Sequence, residues 1–356
     1  LFEHSSTFGS LIQVPEALAE KLPDLEKKLK TASESGDIFS QQSAQELLPL
    51  VQQAKLLGKQ YDAVIANPPY MGGKGMNTAL KDFAKKKFPD SKSDMFAMFI
   101  ERCQALSKIS GETAFVTPYV WMFISSYEEL RKKLVSQNTI KSLIQLEYNA
   151  FEPACIPVCA YTISKAHVKD YVGSYIKLSD FKGHENQAPK TLEAIQNPSC
   201  GWFFNAKPDD FKKIPGSPII YSLSHRVSEL FANNAKLDDK IALREGIHTG
   251  NNAEFLRFWH EIDYFKLSSD SSDIDSFDES MKKWVPYNKG GSFRKWYGNN
   301  ELVISFDLSS RDRMSQLKGH VRPSQKLYFK PGGTWSALSS GNFGLRFYPQ
   351  GFLFDS

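Results

Sequence analysis

Asn67-Pro68-Pro69-Tyr70 is the stretch of this 356-residue chain best equipped for chemistry. An amine attached to a conjugated ring is a poor nucleophile, because its lone pair is delocalised into the ring. Two acceptors that grip its N–H groups push the nitrogen toward tetrahedral geometry and aim the lone pair at a methyl donor. Asn67 Oδ1 and the Pro68 carbonyl can be those acceptors, and two consecutive prolines hold them in place beforehand. Tyr70 adds a flat face on which a ring can stack. By chance such a tetrapeptide arises in only roughly one chain in a thousand of this length. The plain alternative is a rigid Pro-Pro turn with Tyr70 as ordinary packing. The apolar run just before it favours the chemical reading, since ligands of open α/β sheets bind beyond the carboxyl ends of the strands.

Positioning such a loop requires a strand before it and helices to back that strand. Ala63 to Ala66 reads as the strand, Asp94 to Leu106 as a helix with Ser91 three residues ahead at capping spacing, and Thr113 to Val116 as the next strand. A helix at Ser125 to Val135, with Ser125 and Glu128 at the same spacing, precedes strands at Ile140 to Leu146 and Val158 to Ser164. This alternation predicts an α/β sheet of mostly parallel order. Upstream, Pro15 to Leu29 and Gln41 to Leu57 have the apolar spacing of amphipathic helices around a polar loop, Thr31 to Asp37. Beyond Pro198, short aromatic and β-branched runs between Gly, Pro and Asn clusters predict a β-rich second domain, joined through a helix at Ser224 to Asn233. The resulting division is a helical segment 1–60, a catalytic part 61–200, a helical connector 201–240 and a β-rich part 241–356.

The chain has no apolar run near the 18 residues a membrane span needs, and its 41% hydrophobic share fits a soluble, cytoplasmic protein. It opens on Leu1 without a secretory leader, as a cut end would. Cys103, Cys155, Cys159 and Cys200 form no CxxC pair and have no histidine at ligand spacing, so free thiols are expected and a zinc site is not. A net charge of +4 proves no partner, but its distribution is uneven: Met281 to Gln350 holds twelve Lys/Arg against three Asp/Glu, a local excess of nine. An acidic, serine-rich run beside it, Ser268 to Ser280, reads as a solvated loop.

Asn67-Pro68-Pro69-Tyr70 resembles the catalytic motif of amino-group methyltransferases that use S-adenosylmethionine, in the variant typical of adenine-N6 enzymes. Its flanks, Met71 to Asn77, Pro89 to Phe99 and Trp121 to Tyr127, are similar to the adenine methyltransferases of BREX phage-defence systems (PglX-like) and to single-chain type II restriction-modification enzymes. Gly246 to Asn252, Lys283 to Gly291, Arg294 to Asn299 and Thr334 to Ser336 are similar to that family's target-recognition region. The resemblance implies a partial Rossmann-like methyltransferase sheet followed by part of a target-recognition domain. It implies S-adenosylmethionine as cofactor, double-stranded DNA as partner with other defence-system proteins beside it, and an adenine flipped out to Asn67 for direct methyl displacement.

The same resemblance implies that Phe151 is a second aromatic against the flipped base, although a core phenylalanine fits the sequence as well. Lys74 is a candidate phosphate contact, as are Arg294, Lys295, Arg311, Arg313, Arg322 and Arg346, most of which would position phosphates rather than read bases. Trp284, Trp296, Tyr297 and Trp335 read as core of a small β domain more readily than as stacking platforms. His248 and Thr249 would face DNA or hold their own loop. One departure from the family is clear: nothing before Tyr61 fits a strand, a Gly-x-Gly turn and a helix, so the main cofactor loop is expected to lie outside this chain. Gly72-Gly73-Lys74-Gly75 follows the motif instead of preceding it, and is expected to be a mobile loop over the target strand. Two other readings remain: a DNA-recognition module without its own methyl transfer, and methylation of a protein glutamine amide. A nuclease is disfavoured by the lack of an acidic cluster with a nearby lysine for Mg²⁺.

Overall fold

The computed structural model describes residues 1–35, 37–151, 156–235, 237–336 and 342–355. They separate into two compact units, Leu1–Asn234 and Ala235–Ser356. Cys155 lies outside the described residues.

The first unit opens with helices. The stretch read as one helix from Pro15 is a short turn, Glu16–Ala19, followed by α1 (Leu22–Ser33). Pro23 explains the break, because a residue without an N–H fits only the first turn of a helix and so starts a new one. α1 runs through the expected loop as far as Ser33, and α2 (Ile38–Gly58) packs against it. Then come β1 (Tyr61–Ala66), α3 (Thr78–Lys87), α4 (Met95–Leu106) and β2 (Ser107–Pro118). α5 (Glu128–Gln137), β3 (Thr139–Gln145), β4 (Val158–Ser164), β5 (Gly173–Lys177), α6 (Gln187–Gln196), β6 (Phe203–Ala206) and α7 (His225–Asn233) complete the unit.

The six strands form one sheet in the order β1-β2-β4-β3-β5-β6. Only β1–β2 and β3–β5 pair in parallel; β2–β4, β3–β4 and β5–β6 are antiparallel, so the expected mostly parallel order is corrected to a mixed sheet. A parallel return needs a crossover, usually a helix, and among the described residues none lies between β3 and β4. β4 therefore folds back and inserts between β2 and β3. One face of the sheet, with Phe115, Leu143, Tyr161 and Ile163, packs with Phe96 and Ile100 of α4 and Leu130 and Leu134 of α5 in a single apolar cluster. β1 is an edge strand, and Ile65 on it is 82% exposed.

The second unit is built on a four-stranded sheet ordered β12-β8-β9-β7 and a β10–β11 pair. Its strands are β7 (Leu256–Phe258), β8 (Trp284–Asn288), β9 (Leu302–Ser305), β10 (Gly332–Thr334), β11 (Arg346–Tyr348) and β12 (Leu353–Phe354). Between them lie the helices α8 (Ile274–Glu279) and α9 (Leu308–Ser315). α8 corrects the reading of Ser268 to Ser280 as a solvated loop. Asp273 caps it by accepting from Ser276 N at 2.8 Å, and Phe277 enters a core with Phe306 and Phe329. Composition hid this helix, because one buried phenylalanine in a polar run carries little periodic signal.

Candidate catalytic loop and nucleic-acid interface

β1 ends at Ala66, paired with Phe115 of β2, and Asn67 is the first residue beyond the strand's carboxyl end. Asn67 and Pro69 are exposed, Pro68 is buried and Tyr70 is half-buried. The Tyr70 hydroxyl lies 3.1 Å from Asn67 Oδ1 and 3.1 Å from the Val116 carbonyl, two acceptors for its one proton. Burial raises the pKa of this phenol, so it stays a donor. Its ring meets Phe96 of α4 edge-on, with centroids 6.3 Å apart.

Asp94 holds the far side of the loop. Its Oδ1 accepts from Met71 N at 2.9 Å and from Phe96 N at 3.2 Å, so one carboxylate caps α4 and fixes the residue that follows Tyr70. Burial raises its pKa, against the lowering effect of the backbone donors Phe96, Met71 and Met95. The Ser91 cap is thereby corrected: Ser91 is buried, its hydroxyl has no partner among the described residues, and the capping oxygen belongs to Asp94. At α5 a 3-10 turn, Ser125–Tyr127, precedes the helix, whose start has no side-chain cap.

The glycine run is anchored. Met95 N donates to Met71 O at 3.1 Å, Gly73 N to Ser93 O at 3.2 Å and Gly75 N to Gly72 O at 2.9 Å. A Cβ on Gly75 would lie 2.8 Å from Met71 Cγ, so a larger residue there would have to displace the Met71 side chain. Lys74 projects from this fixed turn into solvent. Asn77, accepting from Leu80 N at 2.9 Å, starts α3, a helix the sequence reading missed although the cap and the Leu80–Ala84 spacing were present.

The carboxyl ends of β1, β2 and β3 share one edge of the sheet, since β2 runs parallel to β1 and both β2 and β3 run against β4. That edge carries Asn67 and Tyr70, then Tyr119, then Tyr148 and Phe151. Phe151 is 50% exposed, which favours a surface role over a core one. Tyr119 and Tyr148 were overlooked; the signal was a strand ending in Pro118-Tyr119, a second proline-aromatic pair after a strand. An open depression of about 320 Å³ runs along the sheet from Asn67, lined by Ile65, Ala114, Val116, Ser142 and Ala160.

In the second unit the structure sorts the candidate cations. Arg294 and Lys295 are exposed on loop 291–299, and Arg322 is half-buried. Arg313 is exposed and paired with Glu254 at 3.2 Å. Arg311 and Arg346 are corrected as DNA contacts, because both are buried: Arg311 bonds Asp278 at 2.5 Å and Arg346 is 1% exposed. Trp284 and Trp335 are half-buried, whereas Trp296 and Tyr297 are 59% and 69% exposed, against the expectation of core. His248 contacts Glu245 at 2.8 Å and Asp355 at 3.0 Å, and Thr249 donates to Asn252 Oδ1 at 2.8 Å, so both hold their own loop.

Several known proteins are similar to this chain. The Eco57I restriction-modification methylase family matches residues 10–151, which include the whole of Asn67 to Tyr70. The adenine-specific methyltransferase BrxX of Escherichia coli O9:H4 (strain HS) is 38% identical over 100% of this chain. The adenine-specific methyltransferase PglX of Lacticaseibacillus casei (strain Zhang) is also 38% identical over 100% of it. Over its whole length the chain is thus similar to the BrxX and PglX adenine-specific methyltransferases. It spans 28% and 30% of the lengths of these two relatives. The type II restriction enzyme and methyltransferase RM.Eco57I of Escherichia coli is 22% identical over 70% of this chain and 26% of its own length. A nuclease-deletion mutant of the Type ISP restriction-modification enzyme LlaGI aligns over 63% of this chain and 20% of its own, with 16% identity and a TM-score of 0.41.

Proposed function

We propose that this chain carries the catalytic loop and part of the DNA-reading region of a site-specific DNA adenine-N6 methyltransferase. The observation that carries the reading is Asn67-Pro68-Pro69-Tyr70 at the carboxyl end of β1, in a chain related along its whole length to proteins named adenine-specific methyltransferases. Asn67 Oδ1 and the Pro68 carbonyl accept the two N–H groups of a flipped adenine and turn its lone pair outward. The Tyr70 hydroxyl then gives up Asn67 and keeps the Val116 carbonyl, which already lies at the same distance. Asp94 keeps the loop in place through Met71 N, and Phe151 and Lys74 serve the base and a phosphate.

S-adenosylmethionine is the methyl donor this reading assigns to the whole protein. The residues present do not cradle it: those described before Tyr61 form helices and connections, with no strand and glycine turn to receive its adenosyl part. Calorimetry on this chain alone should find weak binding or none, and low-micromolar binding would contradict this assignment.

The deciding experiment is methylation of unmodified bacterial DNA by the whole protein, read by mass spectrometry for N6-methyladenine. Asn67→Ala should lower the rate on the order of 100-fold or more, as loss of one preorganised polar group does elsewhere. Undiminished methylation by that variant would remove Asn67 from the reaction, and transfer to a protein glutamine instead of DNA would reassign the substrate.

A further inference from the structure

Loop 291–299 turns aromatic rings outward that a small β-rich unit ordinarily buries. Phe293 is 51% exposed, Trp296 59%, Tyr297 69% and, beside them on β11, Phe347 53%. This exposure is held in place. Trp296 N donates to Leu345 O at 2.7 Å and Trp296 O accepts from Phe347 N at 2.9 Å. The Trp296 and Phe347 rings lie within 5° of parallel, with centroids 6.3 Å apart. Trp296 sits at φ +75°, a left-handed conformation unfavourable for any residue with a Cβ, and such strain collects where function requires it. Asn299 Nδ2 donates to Ser292 O at 3.1 Å, and the Ser336 hydroxyl bonds both Gly291 N and Gly291 O at 3.1 Å, so the loop is closed at its base.

The charge within the segments that carry these rings has one sign. Lys289 through Asn300 contains no acidic residue, and none lies between Asp312 and Asp355. Lys289, Arg311 and Arg313 are engaged by Asp355, Asp278 and Glu254. Among the described residues, Arg294 and Lys295 enter no ion pair, and Lys295 Nζ lies 5.0 Å from the Trp296 ring centre. Exposed rings with free cations and no carboxylate complement a polyanion that offers flat π surfaces.

We propose that Trp296, Phe347 and their neighbours form a platform on which unpaired bases of a DNA strand stack, with Arg294 and Lys295 on the flanking phosphates. Paired bases in a duplex show only their edges in the grooves, so a ring that offers its face needs a base whose own face is free. The proposal rests on the reading of this chain as one that acts on DNA, and it adds where and how an opened strand is held.

The test uses this chain and two labelled probes, a fully paired duplex and the same duplex with a short bulge of unpaired thymines, followed by fluorescence anisotropy. The native chain should bind the bulged probe more tightly. Trp296→Ala with Phe347→Ala should weaken the bulged probe about tenfold or more while changing the paired one by less than about twofold. Trp296→Phe, which keeps a ring, should retain most of the preference. Arg294→Ala with Lys295→Ala should weaken both probes alike and flatten the salt dependence. Binding of the paired duplex without preference for the bulge overturns the platform and leaves the DNA reading standing; binding of neither probe overturns both. Equal loss on both probes in the aromatic variants, or a self-associated native form that those variants turn into monomer in sedimentation velocity, also overturns the platform, the latter by showing a protein contact.

Discussion

The two units bury arginine on opposite terms. In the first, Arg102 gives Nε to Ser10 O at 2.9 Å and Nη2 to Ile12 O and Leu57 O, both at 2.8 Å. Arg131 likewise serves Gly216 O with Nε and Nη2 and serves Trp121 O and Ile124 O with Nη1. Each fork ties segments far apart in sequence, and Arg131 fixes the chain around Trp121 that lies under β4. In the second unit Arg346 is as deeply buried, yet among the described residues Nε and Nη2 have no partner and Nη1 reaches Gly344 O at 3.4 Å. Burial lowers the pKa of all three guanidinium groups, but Arg102 and Arg131 gain several close carbonyls in return and Arg346 a single long one among the described residues. A satisfied buried cation is a staple, whereas an unsatisfied one is a cost accepted beside the exposed Trp296, with which Arg346 pairs as an isolated bridge.

The contrast is sharpest where a staple is removed. Arg131→Ala should lower the unfolding free energy by about 3 kcal/mol or more, since it leaves several buried carbonyls unpaired. Urea denaturation checks this, and a loss below about 1 kcal/mol would mean that water satisfies those carbonyls. Asp94 comes next. Asp94→Ala removes the acceptor shared by Met71 and Phe96 and should cost about 1–3 kcal/mol, whereas Asp94→Asn keeps an acceptor in place and should cost much less.

The pH dependence of that second pair follows from burial. Asp94 has a folded pKa above its unfolded one, so its contribution is fully present below the unfolded value and is lost as pH rises through the folded value. Native protein should therefore gain stability relative to Asp94→Asn as pH falls from neutral into the carboxylate range, and melts at stepped pH would show it. A gap that widens in the opposite direction would mean that the backbone donors outweigh burial. The smallest effect belongs to the second unit: Arg346→Met should leave the melting point unchanged or raise it, because a desolvated guanidinium with one long hydrogen bond among the described residues is replaced by an apolar chain. A marked loss of stability there would mean that Arg346 is satisfied after all, and the contrast between the units would fail.

Asn67 to Tyr70 and the strand before it were legible because the chemistry is local: four adjacent residues and an apolar run carry it. The α4 and α5 helices and strands β2 to β4 were legible because their apolar periodicity spans many residues. What the sequence could not set was strand order, since the antiparallel insertion of β4 between β2 and β3 depends on where the connection after β3 carries the chain. Nor could it set which aspartate oxygen meets the Met71 amide, a contact that spans 23 residues. In the second unit a count of arginines described charge, but only packing decided that Arg346 turns inward and Arg294 outward. Trp296 shows the same limit, because hydrophobic character alone predicts burial. Composition fixes how much apolar surface and charge a chain has; the tertiary structure decides which of it water, or a partner, can reach.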